Sequence, residues 1–136
     1  MKKLSQKIIL IAFASIVFIS CYAEEPMCYV YDHTVDVPTQ RVYDVFGYKR
    51  QKFIEFAPDL SKVYIVDKKT HTYSNPFFYM GVQGNWIVYQ RKDFRSDGIP
   101  YYPTFFFSKD FRTMLEDLGD HLSFNNTRDV YYWRIK

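Results

Sequence analysis

Histidines and acidic residues are the side chains of this sequence that could do acid–base or metal chemistry, and their spacing favours neither. His33, His71 and His121 do not have the spacing of a metal site. His33 and His121 each follow an aspartate directly, and adjacent side chains point to opposite faces of a strand. Gly-x-Ser-x-Gly, phosphate-loop and His-Glu-x-x-His motifs do not occur in the sequence. We therefore expect no catalytic residue and predict that the protein is not an enzyme.

One short motif indicates a covalent modification. Asn125-Asn126-Thr127 has the Asn-x-Thr pattern that accepts an N-linked glycan. In a eukaryotic secreted chain we expect the glycan on Asn125. The alternative is a turn in which the two asparagines serve for their backbone preferences.

The first 23 residues have the three-part pattern of a cleaved secretory signal. Three lysines precede an uncharged run from Ile8 to Ile19, and Ser20-Cys21-Tyr22-Ala23 then offers small residues for cleavage. The run has 12 residues, whereas a membrane span needs about 20. We therefore predict a signal peptide over 1–23, a secreted protein without a membrane span, and a single domain over 24–136.

The roles expected for the two cysteines depend on where the signal peptide is cleaved. Phe18-Ile19-Ser20-Cys21 also resembles a bacterial lipobox, and in that case the mature protein would be anchored through a lipid on Cys21. Cleavage after Ala23 leaves Cys28 as a single cysteine, so we expect no internal disulfide. Cys28 is then either a small buried residue or a bridge to a second chain in a dimer.

The net charge of +3 belongs entirely to the signal peptide. Residues 1–23 contain three lysines and no acid, so residues 24–136 have 15 basic and 15 acidic residues. A nucleic-acid-binding protein needs a basic face. The zero net charge of residues 24–136 argues against a nucleic-acid partner. We interpret basic clusters such as Tyr48–Lys52 as solvated ends of hairpins.

Short runs of aromatic and β-branched residues recur along the chain and are separated by turn residues, which predicts an all-β domain. Alternation of apolar and polar residues is clear in two of the runs, Lys62–Val66 and Trp86–Gln90. The complete set of predicted strands is Met27–Tyr31, Arg41–Phe46, Lys52–Phe56, Lys62–Val66, Phe77–Val82, Trp86–Gln90, Tyr101–Phe107 and Val130–Ile135. So many short strands at this spacing favour a sandwich or a barrel.

One segment has the period of a helix instead. Over residues 108–118, Ser108 can cap the N-terminus and Gly119 can end the helix. Four apolar residues fall on one helical face at i, i+3, i+4 and i+7, namely Phe111, Met114, Leu115 and Leu118. We expect a short helix near 108–118, packed across the end of the β core.

Aromatic residues make up 21% of the chain. Runs such as Phe105-Phe106-Phe107 alternate between the two faces of a strand, so some of these rings must point outward. Outward rings that cluster would mark the surface for an unknown protein or small ligand. The alternative is that the helix covers them.

The stretch Gly84–Gly98 resembles the signature hairpin of the βγ-crystallin Greek-key family. Trp86, Tyr89, Gln90 and Phe94 match the motif, and Gly98 lies two residues after the position of the family's glycine. The resemblance extends over 84–136 and is weaker over 27–83. It implies a two-sheet Greek-key sandwich in which the hairpin folds onto the sheet and its aromatics pack as a corner.

The resemblance also implies a possible calcium site. Calcium-binding members have an Asn/Asp-rich stretch before the last strand, and Asn125, Asn126 and Asp129 lie at that place. Their side-chain oxygens are of the type that Ca²⁺ prefers. The alternative to the ion is a turn in which the asparagines serve for their backbone preferences. A glycan on Asn125 would compete with the ion, and no other cofactor is expected.

Three functional hypotheses follow, and the third is a small hydrolase, which would need a pocket that holds a histidine within reach of a nucleophile. The first is a secreted, non-catalytic structural or binding protein of the βγ-crystallin type, tuned by calcium. The second is a secreted interaction protein, such as an inhibitor, a toxin or a host-directed effector, on another small β scaffold. The strand order discriminates between the first two, because a fold without two pseudo-symmetric Greek keys favours the second.

Overall fold

A computed structural model describes residues 26–44, 50–119 and 126–134, together with the strand backbone at 6–7 and 9–10. Apart from those two short strands, the expected signal peptide lies outside the described residues. Asn125 and His121 also lie outside them.

The described residues form fourteen strands and no helix. The all-β prediction is therefore confirmed. In chain order the strands are β1 (Gln6–Lys7), β2 (Ile9–Leu10), β3 (Met27–Asp36), β4 (Val42–Tyr43), β5 (Gln51–Phe56), β6 (Lys62–Asp67), β7 (Thr72–Tyr73), β8 (Phe77–Gln83), β9 (Trp86–Gln90), β10 (Asp93–Phe94), β11 (Pro100–Tyr101), β12 (Thr104–Ser108), β13 (Thr113–Asp117) and β14 (Thr127–Trp133).

One antiparallel sheet dominates the fold and nearly closes on itself as a barrel. Its strands follow the order β3, β5, β6, β8, β9, β12, β13, β14, and β14 returns to pair with β3 over seven residue pairs. The short strands β4 and β7 pair with β3 and β6, while β10 and β11 form a separate small hairpin. The narrowest junction is between β6 and β8, which share two residue pairs.

This strand order differs from the expected two-sheet Greek-key sandwich. A Greek key needs a long connection that carries a strand past its neighbours. Here the turns at 57–61, 84–85 and 109–112 are too short to do so, and each long strand lies beside the one before it. The long connection at 91–103 folds back as the β10–β11 hairpin, which returns β12 to the side of β9.

The expected helix at 108–118 is wrong, because this segment forms the turn of a hairpin and the strand β13. The Ser108 hydroxyl donates to Asp110 at 2.7 Å and accepts from the Thr113 amide at 3.0 Å. The side chain that was expected to cap a helix therefore stabilises a tight turn. Phe111 adopts a φ of 61° in this turn. Apolar spacing alone does not separate a helix from a turn followed by a strand.

Gly119 does not end a helix but lies two residues after the end of β13. Its φ is +72°, and a Cβ atom built on it would lie 2.0 Å from the Tyr102 carbonyl oxygen. Glycine is therefore required here by both conformation and close backbone approach.

The interior of the barrel has two ends of different character. The apolar end is filled by Tyr29, Phe56, Phe107 and Phe111, and Phe111 packs on both Phe56 and Phe107. The polar end contains Lys52, Glu116, Asp129, Tyr131 and Thr34. Lys52 and Glu116 face inward because their register partners, Tyr29 and Phe105, are core residues.

Candidate interaction surface

Four large apolar side chains lie exposed on one side of the barrel, and we call them the apolar patch. They are Phe78, Met80, Phe94 and Tyr102, with relative exposures of 48%, 59%, 63% and 42%. Phe78, Met80 and Tyr102 line a shared depression of about 450 Å³, and the basic residues Arg91 and Lys92 stand at the same depression. Phe94 follows Asp93, which lines the depression, on β10. Exposed apolar side chains that gather in this way mark interaction sites, whereas scattered ones do not.

The pleat of β8 and a bulge place this patch outside the barrel. Phe77 points inward and is 2% exposed, so its neighbour Phe78 points outward, opposite Gln90 of β9. A register shift between Tyr79 and Gly81 leaves Met80 as the extra residue. Bulges re-aim side chains locally, and Met80 is consequently exposed next to Phe78.

The rim of the patch carries positive charge. The Lys62 ammonium lies 5.8 Å from the centre of the Phe78 ring, and the Lys92 ammonium lies 5.3 Å from that of Phe94. At exposed sites such cation–π contacts are worth about 0.5–1 kcal/mol each. The nearby Asp93 is held by Arg91 through two bonds of 2.9 Å. The patch therefore presents an apolar centre with a cationic edge.

A second depression of about 440 Å³ adjoins the first at Gln90 and Tyr102, and its polar groups bind one another. Gln90 Nε2 donates to Thr104 Oγ1 at 3.1 Å, and Arg128 Nε donates to Asp117 Oδ2 at 3.3 Å. The Arg128 guanidinium also lies 4.5 Å from the centre of the Phe106 ring. These side chains bind one another across the outer face of the sheet. The polar groups of this depression are therefore already engaged within the protein.

The residues expected to bind calcium do not come together in the described part of the chain. Asn126 lines the outer depression with Arg128, whereas Asp129 points inward and accepts a 2.7 Å bond from the Thr34 hydroxyl. Burial raises the pKa of Asp129, although the Thr34 bond opposes this. Among the described residues, no group of three or more His, Cys, Asp or Glu side chains could hold a metal ion.

The matched motif residues occupy different places instead of a single aromatic corner. Tyr89 is buried and its hydroxyl donates to the Leu60 carbonyl at 2.7 Å, and this burial raises the pKa of Tyr89. Trp86 is half-buried at the start of β9. Phe94 is exposed in the apolar patch. Gly98 closes the β10–β11 turn with a φ of +85°.

The other candidate residues have structural surroundings. Cys28 is a free cysteine with 7% exposure, which suits the prediction of a small buried residue better than that of an intermolecular bridge. The expectation that Asp32 and His33 point apart is wrong, because His33 Nδ1 lies 2.7 Å from Asp32 Oδ2. The cause is a shift in the β14–β3 register, where Val130 pairs with His33 and Tyr131 pairs with Tyr31, so that Asp32 is the extra residue of a bulge.

Sequence reasoning predicted an exposed aromatic surface but did not name Phe78, Met80 or Tyr102. The available signal was the run Phe77–Val82, in which both alternating faces are apolar. Such a run cannot bury both faces unless something covers the outer one.

Comparisons with known proteins found no match: no family model matches the chain, and no match was found among curated proteins or among solved structures. The described part of the chain contains no helix that could span a membrane. The apolar patch is therefore the feature of the molecule that indicates a function.

Proposed function

We propose that the protein is a secreted, non-catalytic binding protein that engages a partner protein through the apolar patch. The observation that carries this proposal is the gathering of Phe78, Met80 and Tyr102 around one depression, with exposures of 42–59%. Aromatic residues, methionine and arginine are enriched at the centres of protein interfaces. The patch consists of aromatic residues and a methionine, and Arg91 lines the same depression.

A partner protein suits this surface better than a small ligand does. A pocket for a small molecule is concave and usually buries about 70–90% of the surface of its ligand. The side chains of the patch are about half exposed, so they form a more open surface than such a pocket. The barrel interior is also filled, since Phe105, Phe107 and Tyr131 are fully buried within it. An eight-stranded barrel is just wide enough for side chains to fill it.

The charge at the edge of the patch indicates the character of the partner. Lys62 and Lys92 stand beside Phe78 and Phe94, and Asp93 is neutralised by Arg91. Complementary charge at the rim of an interface increases the association rate and orients the partner. We therefore expect an apolar contact on the partner that is bordered by acidic side chains.

The order of the strands supports this hypothesis over the structural one. Sequential hairpins replace the two Greek keys that the βγ-crystallin resemblance implies. The resemblance and the calcium site stay predictions. Secretion is part of the proposal through the signal-peptide pattern of residues 1–23.

Site-specific photo-cross-linking tests the proposal. A photoreactive amino acid at Phe78 or Tyr102 should capture one partner protein in the native extracellular medium. The same label at Tyr132, which is 45% exposed on β14, is the matched control. With the captured partner purified, Phe78→Ser should weaken binding by about tenfold or more, and Tyr132→Ser should leave it unchanged. Equal capture from all three positions, or unchanged binding by Phe78→Ser, would contradict the proposal.

A further inference from the structure

The strand β8 extends past the strand that it pairs with on one side. Both β7 and β8 pair with β6, one after the other along its length. Val66 of β6 pairs with Tyr73 of β7, and Val63 of β6 pairs with Phe77 of β8. The last pair is Lys62 with Phe78, because β6 begins at Lys62. Tyr79 still donates its amide to the Ser61 carbonyl at 3.0 Å. Among the described strands, residues 81–83 pair with β9 alone, and Met80 is the bulged residue before them; we call residues 80–83 the β8 overhang.

The overhang directs backbone hydrogen-bonding groups to its open side. In an antiparallel hairpin, successive pairs alternate between bonding to each other and bonding outward. Gln83 and Trp86 flank the two-residue turn, so the next pair, Val82 with Ile87, directs its peptide groups away from the hairpin. Val82 is 53% exposed. The open side of β8 at Val82 can therefore accept another extended strand.

The overhang lacks the charges that usually protect an open edge. No Asp, Glu, Lys or Arg occurs over the nineteen residues from Thr72 to Gln90. Soluble proteins commonly protect an open edge with lysine, proline, short length or a bulge. The strand β4 has such protection, because it is two residues long and lies between Arg41 and Asp44. The overhang has only the bulge at Met80, which confines further pairing to residues 81–83.

We infer that the β8 overhang pairs with the β8 overhang of a second copy of this chain, in an antiparallel arrangement about a two-fold axis. A two-fold contact brings the same segment of both copies together, and an edge without charged residues can meet its own copy without repulsion. Gly81 has no atom within 4 Å of a Cβ position, which leaves room for a close approach of backbones. Val82, which is more than half exposed, would be covered by the contact.

This dimer goes beyond the proposed function and is compatible with it. Edge pairing extends a sheet in its own plane, and the outer faces stay open. Phe78 and Tyr102 would then remain accessible in each copy, so the dimer would present two patches to its partners. Two linked sites bind a partner with two epitopes more tightly than one site does.

Charge placed on the overhang tests the dimer. The protein should sediment as a dimer that dissociates on dilution. Val82→Lys and Val82→Glu should each weaken the dimer by about tenfold or more, because they place like charges beside each other at the axis. A mixture of the two variants should restore it as a heterodimer. Val42→Lys and Val42→Glu are the matched controls, since Val42 is 62% exposed on the edge strand β4.

Circular dichroism and thermal unfolding establish that each variant is folded, and Gln83→Lys with Gln83→Glu replaces any Val82 variant that is not. A wild-type protein that sediments as a monomer at every concentration would overturn the inference. A dimer that is equally sensitive at Val42 and Val82, or that the mixture does not restore, would also overturn it. Cross-linking from Phe78 in Val82→Lys separates the two proposals, because partner capture does not require the dimer.

Discussion

The apolar and polar ends of the barrel hold the same sheet together by different interactions. At the apolar end, Phe107 has no exposed surface and its ring lies 5.0 Å from that of Phe56 and 5.8 Å from that of Phe111. At the polar end, the Lys52 ammonium lies 2.6 and 2.7 Å from the two carboxylate oxygens of Glu116. The side chains of this pair are only 11% and 14% exposed.

The difference shows which end of the barrel stabilises the fold and which end selects the correct register of the strands. Burial of aromatic surface is favourable in itself. A buried ion pair gains attraction but loses hydration, so its net contribution is small, while the loss of one partner is costly. We expect the apolar end to dominate the free energy of unfolding. The polar end instead penalises any register that separates Lys52 from Glu116.

The largest expected effect is at the apolar end. Phe107→Ala should lower the free energy of unfolding by about 3–5 kcal/mol, because it leaves a cavity among rings that cannot all move into it. Urea denaturation measures the change. Phe106→Ala is the control, since Phe106 lies on the outer face and is half-buried beneath Arg128. If both substitutions cost the same, the apolar end is not the main source of stability.

The next effect is at the polar end. Lys52→Met should cost up to about 3 kcal/mol, because the Glu116 carboxylate, which is 14% exposed, is then left without its cation. The double variant Lys52→Met with Glu116→Gln should recover part of this loss, since no unpaired charge remains. Denaturation of the two single variants and the double variant gives the coupling energy. Additive losses would show that the pair acts as two independent surface charges.

Much of the sheet could be predicted from the sequence because its strands alternate in a regular way. All eight aromatic and β-branched runs contain strand residues, and the runs at Lys62–Val66 and Trp86–Gln90 match β6 and β9 closely. Alternation fixes which side chains share a face, and this signal is local. It does not determine which strands lie side by side, so the sequential order of the barrel could not be read from it.

The errors have specific physical causes. Ser108, Asp110 and Gly119 are residues that helix ends and tight turns both use, and the competing turn chemistry prevailed. The apolar patch was predicted as a kind of surface but not located. Its position depends on the bulge at Met80 and on the return of the β10–β11 hairpin, and both are results of tertiary structure.

A matched pair of tyrosine hydroxyls compares the two ends on a finer scale. The Tyr29 hydroxyl donates to the Phe111 carbonyl at 2.7 Å at the apolar end, and the Tyr131 hydroxyl lies 3.4 Å from Glu116 Oε1 at the polar end. Tyr29→Phe should cost about 1–2 kcal/mol, because it leaves a carbonyl without its donor. Tyr131→Phe should cost at most about 0.5 kcal/mol, since a contact this long is a weak hydrogen bond. Thermal unfolding of both variants tests the difference, and the reverse order would contradict the description of the two ends.

The smallest expected effect is a difference in pH dependence between two aspartates. Burial raises the pKa of Asp129 at the polar end, helped by Glu116 and opposed by the Thr34 bond. Burial also tends to raise the pKa of Asp110 at the apolar end, but the Arg112 amide and the Ser108 hydroxyl outweigh it and the pKa is lowered. An unfolded aspartate titrates at about 3.9.

These opposite shifts give opposite contributions to stability. The contribution of Asp129 is present below the unfolded pKa and is lost as pH rises through its folded pKa, because the folded state holds the proton more tightly. That of Asp110 is present above the unfolded pKa and is lost as pH falls through its folded pKa. Relative to wild type, Asp129→Asn should therefore become more stable, and Asp110→Asn less stable, as pH rises from the acid side of this range. Denaturation midpoints measured across the acid range test both signs, and parallel curves for the two variants would show that the ends do not differ in this respect.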